Sequence, residues 1–155
     1  MPRRLGGRGV LGLRERLLSA LDFIEAHLKP RPGLPPGKRV WIGEFGYPAI
    51  RFSEAQADLR TRWVIRAGLE WGCPFVLYWE LYNNEVEPDG TQRGYWMIDH
   101  TGRKTAVFET YRCYDREART FLRRFLAGTG RLPTREEFGE AALGFPSLCA
   151  GITGP

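Results

Sequence analysis

The chain has 155 residues, about one domain's worth, with 43% of them apolar and 26% charged, which excludes a disordered or fibrous polypeptide. Its net charge of +5 comes from twenty arginines and three lysines spread along the sequence, a pattern of coding bias rather than a nucleic-acid-binding stripe. Cys73, Cys113 and Cys149 lack CxxC spacing and are odd in number, so buried free thiols in a reducing compartment are expected, with neither a disulfide framework nor a metal site.

The stretch MPRRLGGRG, with residue 10, is read as a loose lead-in. Charges at Arg8, Arg14, Glu15 and Arg16 interrupt any signal-peptide core, and no apolar run approaches the roughly 18 residues of a membrane span. The default expectation is a cytoplasmic protein with no membrane partner.

From Leu11 to Leu28, the positions Leu13, Leu17, Ala20, Leu21, Ile24 and Leu28 recur at threes and fours, which predicts an amphipathic helix. KPRPGLPPG (29–37) is a connecting loop, since four prolines suit neither helix nor central strand. Arg39 to Phe45 reads as a short strand covered on both faces. Ser53 then caps a second helix, with Gln56 in the capping-box position and Gly72 as its stop. Along it Ala55, Leu59, Trp63, Ala67 and Trp71 fall four apart and predict an apolar stripe. PFVLYWEL (74–81) is a second buried-type strand, and strand, helix, strand with short links is a βαβ unit with parallel strands.

After the polar loop NNEVEPDGTQRG come a short segment, Tyr95 to Asp99, and the turn His100 to Arg103. Ala106 to Leu126 reads as helix, with Gly128 and Gly130 ending it. A short helix over 134–143 carries its own capping box, Thr134 and Glu137. This gives a domain over 11–127 and an extension over 128–155. Arg116, Arg119, Arg123 and Arg124 have helical spacing and read as a solvated face.

Loops at the carboxyl ends of parallel strands carry the chemistry of α/β proteins. Glu44, in GEFG, and the Trp79/Glu80 pair stand at those ends. A solvent-facing Glu44 that caps the next helix, and a core Trp79, are the bland alternatives. Tyr95 and Trp96 suit a sugar subsite or the core equally. His100 is a turn residue at a pocket rim, and His27 a surface residue.

The succession VWIGEFGYP, an amphipathic helix, FVLYWELYN, a polar loop and GYWMIDHTGRKTAVFETYR resembles the carboxyl-terminal quarter of a clan A glycoside hydrolase, nearest to the cellulase family, glycoside hydrolase family 5. The match covers roughly residues 37–112. It implies an α/β fold that is part of a (β/α)8 TIM barrel, its last two βα units, with extra carboxyl-terminal helices. It also implies an enzyme that hydrolyses O-glycosidic bonds in β-linked glycans, with an oligo- or polysaccharide as partner and no cofactor. By that resemblance Glu44 is the nucleophile and Trp79 the platform under the sugar ring. Tyr47, Glu80, Asn83 and Asn84 become pocket-wall residues, with Tyr47 placed to hydrogen-bond Glu44 and keep it ionised.

The sequence departs from the family in three respects, one being that the histidine and arginine of the family's earlier strands are missing. A complete barrel needs eight strands and about 250 residues, and two strands are legible here. The family's acid/base, a Glu following Asn after the fourth strand, has no counterpart, because Asn84-Glu85 follows the eighth. The chain alone thus carries half of a two-carboxylate mechanism. Its sheet edges call for a homo-oligomer or a missing amino-terminal barrel half, and a non-catalytic carbohydrate-binding module is the alternative function.

Overall fold

A computed structural model of the chain describes residues 8–34, 37–82, 86–145 and Cys149. They form a mixed α/β arrangement in the order α1 (Arg8–His27), β1 (Ile42–Phe45), α2 (Glu54–Trp71), β2 (Val76–Tyr78), α3 (Ala106–Thr129) and α4 (Arg135–Ala142). β1 and β2 pair in parallel, with Ile42 beside Val76 and Phe45 beside Tyr78, so helix α2 is the crossover of a βαβ unit.

The helix ends follow from local chemistry. The Gln56 amide donates to the Ser53 hydroxyl at 3.3 Å while the Ser53 amide donates to the Gln56 side chain at 3.0 Å, and Thr134 and Glu137 repeat this box at α4. Gly72 takes the left-handed conformation at φ 89° and turns its amide back to the Gly68 and Leu69 carbonyls. Thr105 caps α3 through the Phe108 amide and gives its own hydroxyl proton to the Met97 carbonyl at 2.8 Å. That helix passes through Gly128 and ends at Gly130, φ 71°. The expected division after residue 127 therefore falls inside α3.

The faces that pack differ from the expected ones. In α2 the buried residues are Ala57, Thr61, Val64, Ile65, Ala67 and Gly68, whereas Leu59 of the expected stripe is 57% exposed. A spacing of four overshoots each turn by about 40°, so a strict i+4 row winds around the helix. Gly68 is there for space: a Cβ would lie 2.5 Å from Val76 Cγ2 and 3.3 Å from Ile42 Cδ1. In α1 the packed face is Leu17, Leu18 and Leu21, which meet Val40, Ile42, Val64 and Cys73, while Phe23, Ile24 and Leu28 are exposed. Glu25 anchors the end of that helix by accepting the Arg39 and Val40 amides at 2.9 and 3.0 Å. Those bonds hold its carboxyl below the ordinary range.

Two expectations are corrected outright. The strands are shorter than predicted, and among the described residues they are not buried on both faces, since Trp41, Phe75 and Leu77 are exposed. The cysteines are not all free: Cys113 and Cys149 form a disulfide, and Cys73 alone is a buried thiol. The pairing spans 36 residues and depends on how the segment after α4 returns to α3, which cysteine spacing does not encode. Among the described residues no helix is long and apolar enough to cross a membrane, and the sheet has two strands. The fold class that stands is α/β with two parallel strands and four helices. A barrel, which closes only with eight strands, is not present among them.

Candidate functional site

Side chains alternate across a strand, and the helices fix which side is which. Ile42 and Val76 reach toward Gly68 of α2, and the rings of Phe45 and Tyr78 meet edge to face at 5.3 Å. These partners lie on the helix side. The register is irregular between these two pairs, with Gly43 and Glu44 of β1 set against Leu77 alone of β2; this bulge puts exposed Glu44 on the opposite face, and alternation from Tyr78 puts Leu77 and Trp79 there too. There Glu44 is exposed, and Leu77 and Trp79 are 45% and 37% exposed. Trp41 and Phe75, one residue before Ile42 and Val76, are exposed as well and pack ring to ring at 5.4 Å. An apolar strip thus runs along the strands to their carboxyl ends, where Glu44 and Trp79 stand.

The two carboxyl ends are joined directly. The Trp79 amide donates to the Phe45 carbonyl at 2.7 Å. Gly46 follows at once, and here the second glycine of GEFG has a physical reason: a Cβ would lie 2.4 Å from the Trp79 carbonyl oxygen and 2.7 Å from Tyr95 Cδ1. No side chain fits between these neighbours. Gly43 differs, with nothing within 4 Å of its Cβ position.

Beyond β2 the chain continues beside the Tyr95–Ile98 segment. The Glu80 amide donates to the Tyr95 carbonyl at 3.0 Å, and the Met97 and Ile98 amides donate to Glu80 and Leu81 at 2.8 Å. The Trp79–Glu80 peptide is cis. Glu80 is buried at 7% exposure, so it belongs to the interior of this junction. The Asp99 carboxylate organises the following turn, accepting from the Thr101 amide and hydroxyl and from the Arg103 amide and guanidinium. With the Thr101 hydroxyl as the main cause, its pKa is drawn down to about 2. Arg103 also pairs with Glu54 at 2.9 Å, and Glu54 accepts the Ala106 amide at the start of α3. The turn therefore ties together the amino ends of α2 and α3.

Tyr47 does not join Glu44. Its ring packs edge-on against Phe45 at 6.3 Å and Phe52 at 5.4 Å, with the Arg60 guanidinium 5.7 Å over it, which puts it on the helix side. Burial raises its pKa, opposed by Arg60. This corrects the expectation that it holds Glu44 ionised: its ring packs with Phe45 and Phe52 on the other side of the sheet. Asn83 and Asn84 lie outside the described residues. Trp96 is half-buried with its ring 5.7 Å from that of His100. His27 is exposed and stacks on Phe23.

A cavity of about 680 Å³ lies at the other end of the strands, between α2, α3 and α4. Lys38, Cys73, Tyr114, Arg135 and Phe138 are among its walls, Phe75 and Leu77 of the strip also border it, and neither Glu44 nor Trp79 lines it. Its thiol, Cys73, is pushed up in pKa by burial. Among the described residues no three His, Cys, Asp or Glu side chains gather as metal ligands would.

Sequence reasoning missed Trp41, Phe75 and Leu77 as exposed residues of the strip. Continuous apolar character is the signal of a strand covered on both faces, and here Trp41, Phe75 and Leu77 are left 45 to 55% exposed.

No family model, curated protein or solved structure matches the chain.

Proposed function

We propose that the chain is glycoside-hydrolase-like, the last two βα units of a (β/α)8 barrel that cleaves β-linked glycans by a retaining mechanism. The reading rests on the motif resemblance to glycoside hydrolase family 5. The observation that carries it is the pairing of Glu44 and Trp79 at adjacent carboxyl ends of parallel strands, on the face opposite the helices.

Glu44 is the nucleophile. Its carboxylate attacks the anomeric carbon and forms a glycosyl ester, while a second carboxyl group about 5 to 5.5 Å away protonates the departing oxygen. The same group then takes a proton from the water that hydrolyses the ester. This acid/base has no counterpart in the sequence and comes from the polypeptide that completes the barrel. Trp79 offers its flat apolar ring to the C–H face of the sugar, and Glu80 supports it from within the junction. The exposed strip agrees with this reading, since it is the face that faces inward in a closed barrel.

A second reading is favoured by the same strip together with the unpaired strand edges. The chain is then a non-catalytic carbohydrate-binding quarter-barrel that a second copy covers.

The test is hydrolysis of aryl β-glycosides, combined with binding of cello- and manno-oligosaccharides. Turnover that Glu44→Gln abolishes supports the enzyme. Absence of turnover with binding that Trp79→Ala weakens supports the module. Neither turnover nor binding removes the carbohydrate reading.

A further inference from the structure

We propose that Cys113–Cys149 is a native cross-link made by an oxidising compartment, and that the protein works outside the reducing cytosol. This inference is independent of the carbohydrate reading and stands if that reading fails.

Four observations carry it. The two cysteines are 1% and 0% exposed, with Cα atoms 5.9 Å apart, within the range that a disulfide spans without moving the backbone. They join α3 to the segment after α4, where Tyr114, Phe121, Phe138 and Phe145 form a cluster of ring contacts at 5.4 to 6.2 Å. The third cysteine does not compete, because Cys73 is buried in a different cluster with Leu21, Val40, Ile42 and Val64. Finally, the cross-link closes a separation of 36 residues, long enough for the constraint on the unfolded chain to be large. Structural disulfides of this kind form and persist in secreted and periplasmic proteins and are rare where glutathione and thioredoxin keep thiols reduced.

The cross-link also has a structural task. It holds Cys149, seven residues beyond α4, against α3, and α4 carries Arg135, whose guanidinium donates to the Gly72 carbonyl at 2.6 Å and the Lys38 carbonyl at 3.3 Å. Those carbonyls belong to the loops that lead into β2 and β1. The disulfide thus secures the helix that closes the amino ends of both strands.

In its formation the two thiols are oxidised and one S–S bond is made. The electron pair and both thiol hydrogens pass to a disulfide oxidant of the compartment, for example glutathione disulfide, whose own S–S bond breaks to give two thiols.

The test begins with cells that make the full chain, quenched in acid, and the precipitated protein is then dissolved in denaturant at neutral pH with an alkylating reagent, so that every free thiol, buried or not, is blocked. Mass spectrometry then locates the blocked thiols. Alkylation of Cys73 alone is expected, and alkylation of Cys113 and Cys149 overturns the proposal, as does a cross-link that includes Cys73. On the purified protein, reduction is expected to lower Tm by roughly 5 to 15 °C. Cys73→Ser keeps that response and Cys113→Ser/Cys149→Ser abolishes it. If the double variant does not fold, the Cys73→Ser protein decides alone: a Tm that reduction leaves unchanged overturns the structural role.

Discussion

The Trp79 amide donates to the Phe45 carbonyl at 2.7 Å, so the residue after Glu44 and the backbone that carries the Trp79 indole are hydrogen-bonded partners. This bond fixes the relative height of the carboxylate and the indole at the strand ends. It leaves no room at Gly46, where the Trp79 carbonyl and the Tyr95 ring converge.

Gly46→Ala therefore forces the strand ends apart. It is expected to cost roughly 1 to 3 kcal/mol, the range for overpacking, whereas Gly43→Ala, which meets nothing within 4 Å, stays within about 0.5 kcal/mol. Urea unfolding of the two variants checks this, and equal losses would mean that the crowding at Gly46 is not what the glycine relieves.

Arg135 joins two loops that are far apart in sequence, through carbonyls of Lys38 and Gly72. The side chain is exposed, which limits the gain. Arg135→Ala is expected to cost about 1 kcal/mol, and Arg135→Lys to recover less than half, because an ammonium cannot span both acceptors with a fixed fork. Thermal melts of the three proteins provide the comparison.

Acid stability should track two carboxylates. Asp99 is drawn from 3.8 to about 2 chiefly by the Thr101 hydroxyl, and Glu137 from 4.5 to about 2 chiefly by the Arg131 guanidinium. A carboxyl with a lowered folded pKa stabilises fully above its unfolded value and loses that contribution as pH falls toward the folded one. Stability should thus decline between about pH 4.5 and pH 2. The combined Asp99→Asn/Glu137→Gln variant should be less stable at pH 7 and show a shallower decline over that window. An unchanged acid limb in denaturant titrations at stepped pH would refute the assignment.

What the sequence made legible was local. Ser53 with Gln56, Thr134 with Glu137, and Gly72 were readable because each acts on amides within four residues of itself. The parallel pairing was readable from the βαβ order. What escaped depends on distant neighbours. Leu59 and Ile24 have helical spacing, yet which side of a helix packs is decided by the sheet, and that decision put Thr61 and Gly68 inside. Tyr47 looked like a partner for Glu44 from three residues away, but it packs with Phe45 and Phe52 on the other side of the sheet. The Cys113–Cys149 pair was hidden because its contact arises only after α3 and α4 have folded together. Of the candidate site, Glu44 and Trp79 were legible from their positions at strand ends. The strip of Trp41, Phe75 and Leu77 was not, because an apolar run does not say which of its faces is covered.

The central claim is that Trp79, beside Glu44, receives a sugar ring. Titration of the protein with a β-linked oligosaccharide, followed through the indole N–H resonances of its five tryptophans, tests this directly. The account predicts a saturable shift of the Trp79 resonance with that of Trp41, at the other end of the strip, unmoved. A titration that shifts Trp41 and not Trp79, or shifts neither, contradicts it.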